Sequence, residues 1–106
     1  MDRAEVTQRP YGGTLVRYVG MSLMESLENL VVAARAGDRA AYAQVVARFE
    51  LSAQAWAFRA LRDHHLAEDA VQEAFAEAFL NLDKLREPAA FPGWFKRIVI
   101  KRVDRI

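Results

Sequence analysis

LAEDAVQEAFAEAFLNL, Leu66 to Leu82, is the stretch whose spacing decides the fold. Val71, Ala74, Phe75, Ala78 and Leu82 recur at i, i+3, i+4, i+7 and i+11, one apolar stripe of an α-helix. Asp69, Glu73 and Glu77 recur at i, i+4 and i+8 on a different face, with Glu68 and Gln72 beside them. Like charges four residues apart on a helix repel by a few tenths of a kcal/mol per pair. No Lys or Arg inside the stretch relieves them. Two readings of this face stand at this point: a solvated acidic surface on a packed helix, or a docking face for a basic partner.

Charge in the neighbouring sequence favours docking. Six acids and no Lys or Arg lie between Asp63 and Asp83. From Lys84 to Ile106 seven bases stand against Glu87 and Asp104, although the whole chain carries only +1. Adjacent blocks of opposite sign point to two separate partners of opposite sign. Composition narrows the class further. A chain of 106 residues holds one small domain with one core. At 53% hydrophobic residues it is not disordered throughout. Cysteine is absent, which removes disulfides and thiolate metal sites and fits a cytoplasmic protein. No apolar run approaches a membrane span, and the N-terminus lacks the pattern of a signal peptide.

Outward from the acidic helix, helical period appears in every ordered segment. Residues 1–21 carry Pro10, Gly12 and Gly13 without a sustained period and read as a flexible leader, with Met21 or Met24 as alternative starts. The domain is expected over 22–106. Ser22 with Glu25 has the form of a capping box, and Leu23, Leu27, Leu30, Val31 and Ala34 mark a first amphipathic helix. Gly37 ends it and Asp38 caps the next, whose buried face is Tyr42, Val45, Val46 and Phe49. From Glu50 to Ser52 the phase is ambiguous between one continuous helix and a kink before Trp56, Phe58 and Leu61. Asp63-His64-His65 has the look of a turn. After Leu82 comes an irregular connection containing Pro88. A last helix starts near Phe91, with Pro92 in its first turn. Phe91, Phe95, Ile98, Arg102 and Ile106 follow one row, with the Arg as polar exception. Arg97, Lys101 and Arg105 form a basic row. The helical pattern runs to Ile106 without a stop signal, as in a domain cut from a longer protein. The expectation is an all-α bundle of four or five helices with a core including Leu30, Tyr42, Val46, Phe49, Phe75, Phe79, Phe95 and Ile98.

Three blocks in order resemble region two of extracytoplasmic-function sigma factors, the small initiation factors of bacterial RNA polymerase. AGDRAAYAQVVARF (Ala36 to Phe49) is similar to the family's opening, AEDAVQEAFAEAF (Ala67 to Phe79) to its core-binding helix, and FPGWFKRIVIKRVDRI (Phe91 to Ile106) to its promoter-reading helix. The resemblance covers about Leu27 to the end, and its second block is the most specific. It implies a compact helical domain whose acidic helix docks on the clamp of the polymerase largest subunit, through Asp69, Gln72 and Glu73, with Glu68 and Glu77 on the same helix. It implies that the last helix and the preceding loop melt and read the minus-ten promoter element as non-template single strand. Phe91, Trp94, Lys96, Arg97, Lys101, Arg102 and Arg105 are the candidates for that contact. The chain departs from the family where an Arg-Asn pair is common and Ile100-Lys101 stands here, and Asp104 lies one position early. The family's minus-thirty-five-reading domain is not in this sequence.

Competing readings attach to the same residues. Trp94 and Phe95 stand beside cations, an arrangement suited to stacking unpaired bases, and both also suit a helical core. Core is the simpler reading of Phe95, Trp56 and Phe58. His64 and His65 do not form a metal site, because adjacent side chains diverge and no third ligand is spaced to meet them. No cofactor is expected. The paired carboxylates lack a nucleophile or a phosphate loop, which argues against an enzyme. The alternative function is a sigma-like interaction module held by an anti-sigma partner without productive DNA contact. A plain duplex-binding helix-turn-helix is disfavoured by the acidic helix, which would repel phosphate.

Overall fold

The computed structural model describes residues 25–106, so the leader, Ser22 and Leu23 of the expectations lie outside the described residues. Four α-helices make up that part: α1 (Leu27–Arg35), α2 (Arg39–Leu61), α3 (His64–Leu80) and α4 (Phe91–Asp104). Single 3-10 turns at Leu82–Lys84 and Pro88–Ala90 connect α3 to α4. No strand occurs among the described residues, and the fold is all-α as the periodicity requires.

The helix boundaries follow from local chemistry. Ser26 caps α1 by accepting from the Asn29 amide at 3.0 Å. Gly37 leaves α1 with φ +110°, a region that side chains resist. Asp38 then accepts from the Ala41 amide at 3.0 Å and starts α2. Asp63 starts α3 in the same way, accepting from Leu66 at 2.9 Å. His64 and His65 are therefore already helical, and the expected turn narrows to Arg62 and Asp63. His64 stacks on Phe58 with centroids 4.2 Å apart, which closes the corner between α2 and α3.

α2 runs unbroken through Glu50–Ser52. Its buried line steps by four residues through Ala41, Val45, Ala53 and Ala57, with half-buried Phe49 between them. α3 faces it with Ala67, Ala70, Val71, Ala74, Phe75 and Ala78, all buried. Alanines on both sides let the helix axes approach closely, as ridges settle into grooves. α4 lies against both α2 and α3. An aromatic cluster fills the junction: Phe95 contacts Phe75 at 4.5 Å, Phe91 at 5.5 Å and Phe49 at 6.2 Å between centroids. The connection from α3 to α4 is anchored as well as irregular. Leu82 and Leu85 are buried, and Arg35 of α1 donates to the Leu85 carbonyl at 2.7 Å.

Candidate functional site

The α3 stripe packs inward, so the residues between its members must face out. Glu68, Asp69, Gln72 and Glu73 are all exposed along one side of α3. Asp69 has no ionic partner among the described residues. Glu77 differs from the other four. Its side chain is 17% exposed, and its two oxygens accept from Lys101 Nζ at 2.8 Å and Arg102 Nε at 2.9 Å. Arg102 reaches back with a second nitrogen to Glu73 at 3.3 Å. Glu73 itself is 61% exposed, so that contact is weak and leaves it accessible.

These contacts correct the picture of two independent charge blocks. α3 and α4 bring Glu73, Glu77, Lys101 and Arg102 together, and the repulsion along the acidic row is relieved from the neighbouring helix. The hydrogen bond from Lys101 holds the Glu77 carboxyl below its ordinary value; burial opposes this, and the bond from Arg102 adds to it. The pairing also accounts for Arg102 standing in a row that is otherwise apolar. Phe91, Phe95 and Ile98 of that row are buried, and Arg102 continues it half-buried against carboxylates.

The candidate DNA-contacting residues divide by burial. Lys96, Arg97 and Lys101 are exposed on α4, and Arg105 is exposed at its C-cap. Lys96 lies over the Trp56 ring at 5.2 Å, a cation–π contact that orders the side chain without neutralising it. Trp94 is half-buried, tilted against Phe91 with centroids 5.8 Å apart, and stays partly exposed. Phe91 is 0% exposed, enclosed by Phe49 at 5.4 Å and by Phe95. Its inclusion among the DNA contacts is therefore corrected: a fully enclosed ring meets no base, and Phe91 is a core residue. Phe95, also 0% exposed, takes the core role favoured for it.

One feature beside the acidic face was not read from the sequence. Arg39, Tyr42, Phe75, Ala76 and Phe79 line an open groove of about 350 Å³ between α2 and α3. Tyr42 floors it, donating from its hydroxyl to the Phe75 carbonyl at 2.6 Å and packing on Phe79 at 5.0 Å. Burial pushes the Tyr42 phenol well above its ordinary value. No helix among the described residues is long and apolar enough to cross a membrane.

α3 thus presents exposed acids and α4 exposed bases on one alanine-packed bundle. The Sigma-70 region 2 family matches residues 39–105. The chain belongs to that family. It is 35% identical over 71 residues to the ECF RNA polymerase sigma factor SigW of Bacillus subtilis, covering 66% of this chain and 38% of that protein. It is 37% identical over 65 residues to the probable RNA polymerase sigma factor RfaY of Xanthomonas campestris, covering 61% of this chain and 16% of that protein. The chain thus spans well under half of either relative. No solved structure matches it. The match takes in α2, α3 and α4, and α1 precedes the matched residues.

Proposed function

We propose that this sigma region-two domain docks on bacterial core RNA polymerase through the exposed side of α3 and engages promoter DNA through α4. Glu68, Asp69, Gln72 and Glu73 are the docking residues, and the basic clamp of the largest subunit is the complementary surface. Trp94, Lys96, Arg97 and Arg105 meet the displaced non-template strand of the minus-ten element, which the domain helps to melt. Such a role belongs in the cytoplasm. The observation that carries the reading is the segregation on α3: its apolar stripe is buried, while Glu68, Asp69, Gln72 and Glu73 stay exposed on another side. Exposed charge of one sign steers a partner of the other.

Asp69 gives the cleanest test. Reversing its charge disturbs no internal ion pair among the described residues. Asp69→Lys should weaken binding to core polymerase at least tenfold at moderate salt while the circular dichroism spectrum and thermal midpoint stay unchanged. Equal polymerase affinity for Asp69→Lys and wild type would remove this face from the interface. The anti-sigma alternative would then become the better account of the acidic surface.

A further inference from the structure

Lys101 and Arg102 occupy the middle of the basic sequence, yet neither is a bare charge in the fold. Lys101 Nζ and Arg102 Nε converge on the two oxygens of Glu77, and a second arm of Arg102 meets Glu73. The four groups sum to zero net charge. A phosphate approaching Lys101 meets the Glu77 carboxylate, whose nearer oxygen lies 2.8 Å from the same ammonium. Arg97 and Arg105 lie one turn to either side of Lys101, exposed and without an ionic partner among the described residues.

We propose that Glu77 is an internal counter-ion that withholds Lys101 and Arg102 from nucleic-acid phosphate, and that it does not contact the polymerase. The inference rests on the DNA reading of α4 and deepens it. Glu77 is poorly placed for an outside cation, because both its oxygens are already occupied from α4 and little of its side chain reaches solvent. The phosphate track on α4 is then interrupted: Lys96 and Arg97 at one end, Arg105 at the other, and a neutral patch between them. A negative side chain in the middle of a basic row lowers affinity for any polyanion and limits binding to DNA that the flanking residues also engage. Glu73, the exposed member of the cluster, links this patch to the docking face. A basic partner seated on Glu73 removes one of the anchors of Arg102.

The test uses the 106-residue chain and a fluorescein-labelled oligo(dT) strand, with anisotropy followed through a salt titration. Oligo(dT) carries phosphates and no minus-ten sequence, so its salt slope reads the electrostatic track, and any thymine stacked on Trp94 is common to all the variants. Each phosphate contact on a single strand adds about 0.7 to the log–log salt slope. Glu77→Gln should steepen the slope by up to about 1.4, the contribution of two cations, and raise affinity about tenfold near 50 mM salt. Glu50→Gln removes the same charge from an exposed site on α2 and should change affinity less than twofold. Lys101→Ala leaves the cluster with an uncompensated carboxylate and should lower affinity alone, and it should cancel much of the gain in the Glu77→Gln background. Glu73→Gln, which loosens only Arg102 from an exposed position, should give a gain of the same sign and smaller size, and it serves if Glu77→Gln lowers the folded fraction. Core polymerase affinity should be unchanged by Glu77→Gln.

Binding of Glu77→Gln indistinguishable from Glu50→Gln, or a drop in its polymerase affinity, overturns the proposal. Arg97→Ala separates the two levels of inference. If Arg97→Ala weakens DNA binding while Glu77→Gln is silent, the counter-ion role alone falls. If both bind like wild type, the DNA reading of α4 falls and the counter-ion role with it.

Discussion

Phe91 and Trp94 are neighbours on α4 that sequence alone places in one functional set, and the fold buries the first and leaves the second partly exposed. Phe91 is 0% exposed and stacks among Phe49, Phe95 and Trp94, with centroids 5.4, 5.5 and 5.8 Å away. Truncating a buried Phe to Ala costs about 3–5 kcal/mol, because the transfer energy is lost and the cavity relaxes only in part. A domain of this size has roughly 4–12 kcal/mol in total, so Phe91→Ala removes a large share of its stability. With a urea m-value of about 1.5 kcal/mol/M, the midpoint should fall by about 2–3 M, or the domain should not fold at all. Phe91→Leu retains most of the volume and should lose roughly half as much. Trp94→Ala should move the midpoint far less, since the indole is only half-buried. It should weaken binding to a minus-ten single strand by about 1–3 kcal/mol, one stacked base, with the salt slope unchanged. Urea denaturation followed by circular dichroism and anisotropy on the same samples reads both effects. A Phe91→Leu domain that stays fully folded but loses DNA affinity would refute the assignment. So would a Trp94→Ala domain with wild-type affinity.

Two further predictions concern pH. Glu77 has a lowered carboxyl value, chiefly from the Lys101 hydrogen bond, so its stabilisation is complete above the ordinary carboxylate value of about 4.3 and is lost as pH falls through the lowered one. Glu77→Gln should cost about 1 kcal/mol at neutral pH and show a shallower loss of stability on the acid side, checked by urea midpoints from pH 7 down to acid. Tyr42 has the opposite sign: its phenol is raised by burial, so it stabilises the fold fully below about pH 10, and that contribution declines as pH climbs above it. Tyr42→Phe should lose about 1 kcal/mol at neutral pH, from the hydrogen bond to Phe75, and should unfold less steeply in alkali than wild type.

What the sequence discloses and what it hides have physical causes. Gly37, Asp38 and Asp63 act through their own backbone neighbourhood, so their roles as stop and caps can be read one residue at a time. The α3 stripe is legible for the same reason, since helical period is a local property. α2 was ambiguous because its large residues mislead. Leu51 is 86% exposed, while Ala53 and Ala57 are wholly buried, and a search for bulky apolar positions passes over them. The groove floored by Tyr42 depends on how α2 and α3 meet, and no single helix pattern contains it. The ion pairs of Glu77 span 24 and 25 residues and exist only because α4 returns along α3. A charge count along the chain separates those groups into blocks, whereas the fold sets them against each other. Phe91 met two sequence criteria at once, membership of an apolar row and proximity to cations, and only its enclosure decides between them.

Arg102 and Glu77 explain one another, and that changes how mutations on either face must be interpreted. Arg102 continues the buried row of α4, where Phe91, Phe95 and Ile98 precede it, and an unpaired guanidinium there would be costly. Glu77 lies on the half-buried flank of α3, where a lone carboxylate would be costly as well. Paired, the two compensate each other across α3 and α4, and Lys101 adds a second bond to the same carboxylate. A change at Glu73, Glu77 or Arg102 therefore alters the partner face on the other helix, whichever surface it was meant to probe. Glu73→Lys would remove a residue proposed for docking and put a cation beside Arg102 in place of the carboxylate that Arg102 meets at 3.3 Å. Its effect on polymerase binding would then mix direct loss with displacement of α4. Asp69 and Arg97 lie outside the cluster, each on one face only, so substitutions there report on docking and on DNA contact separately.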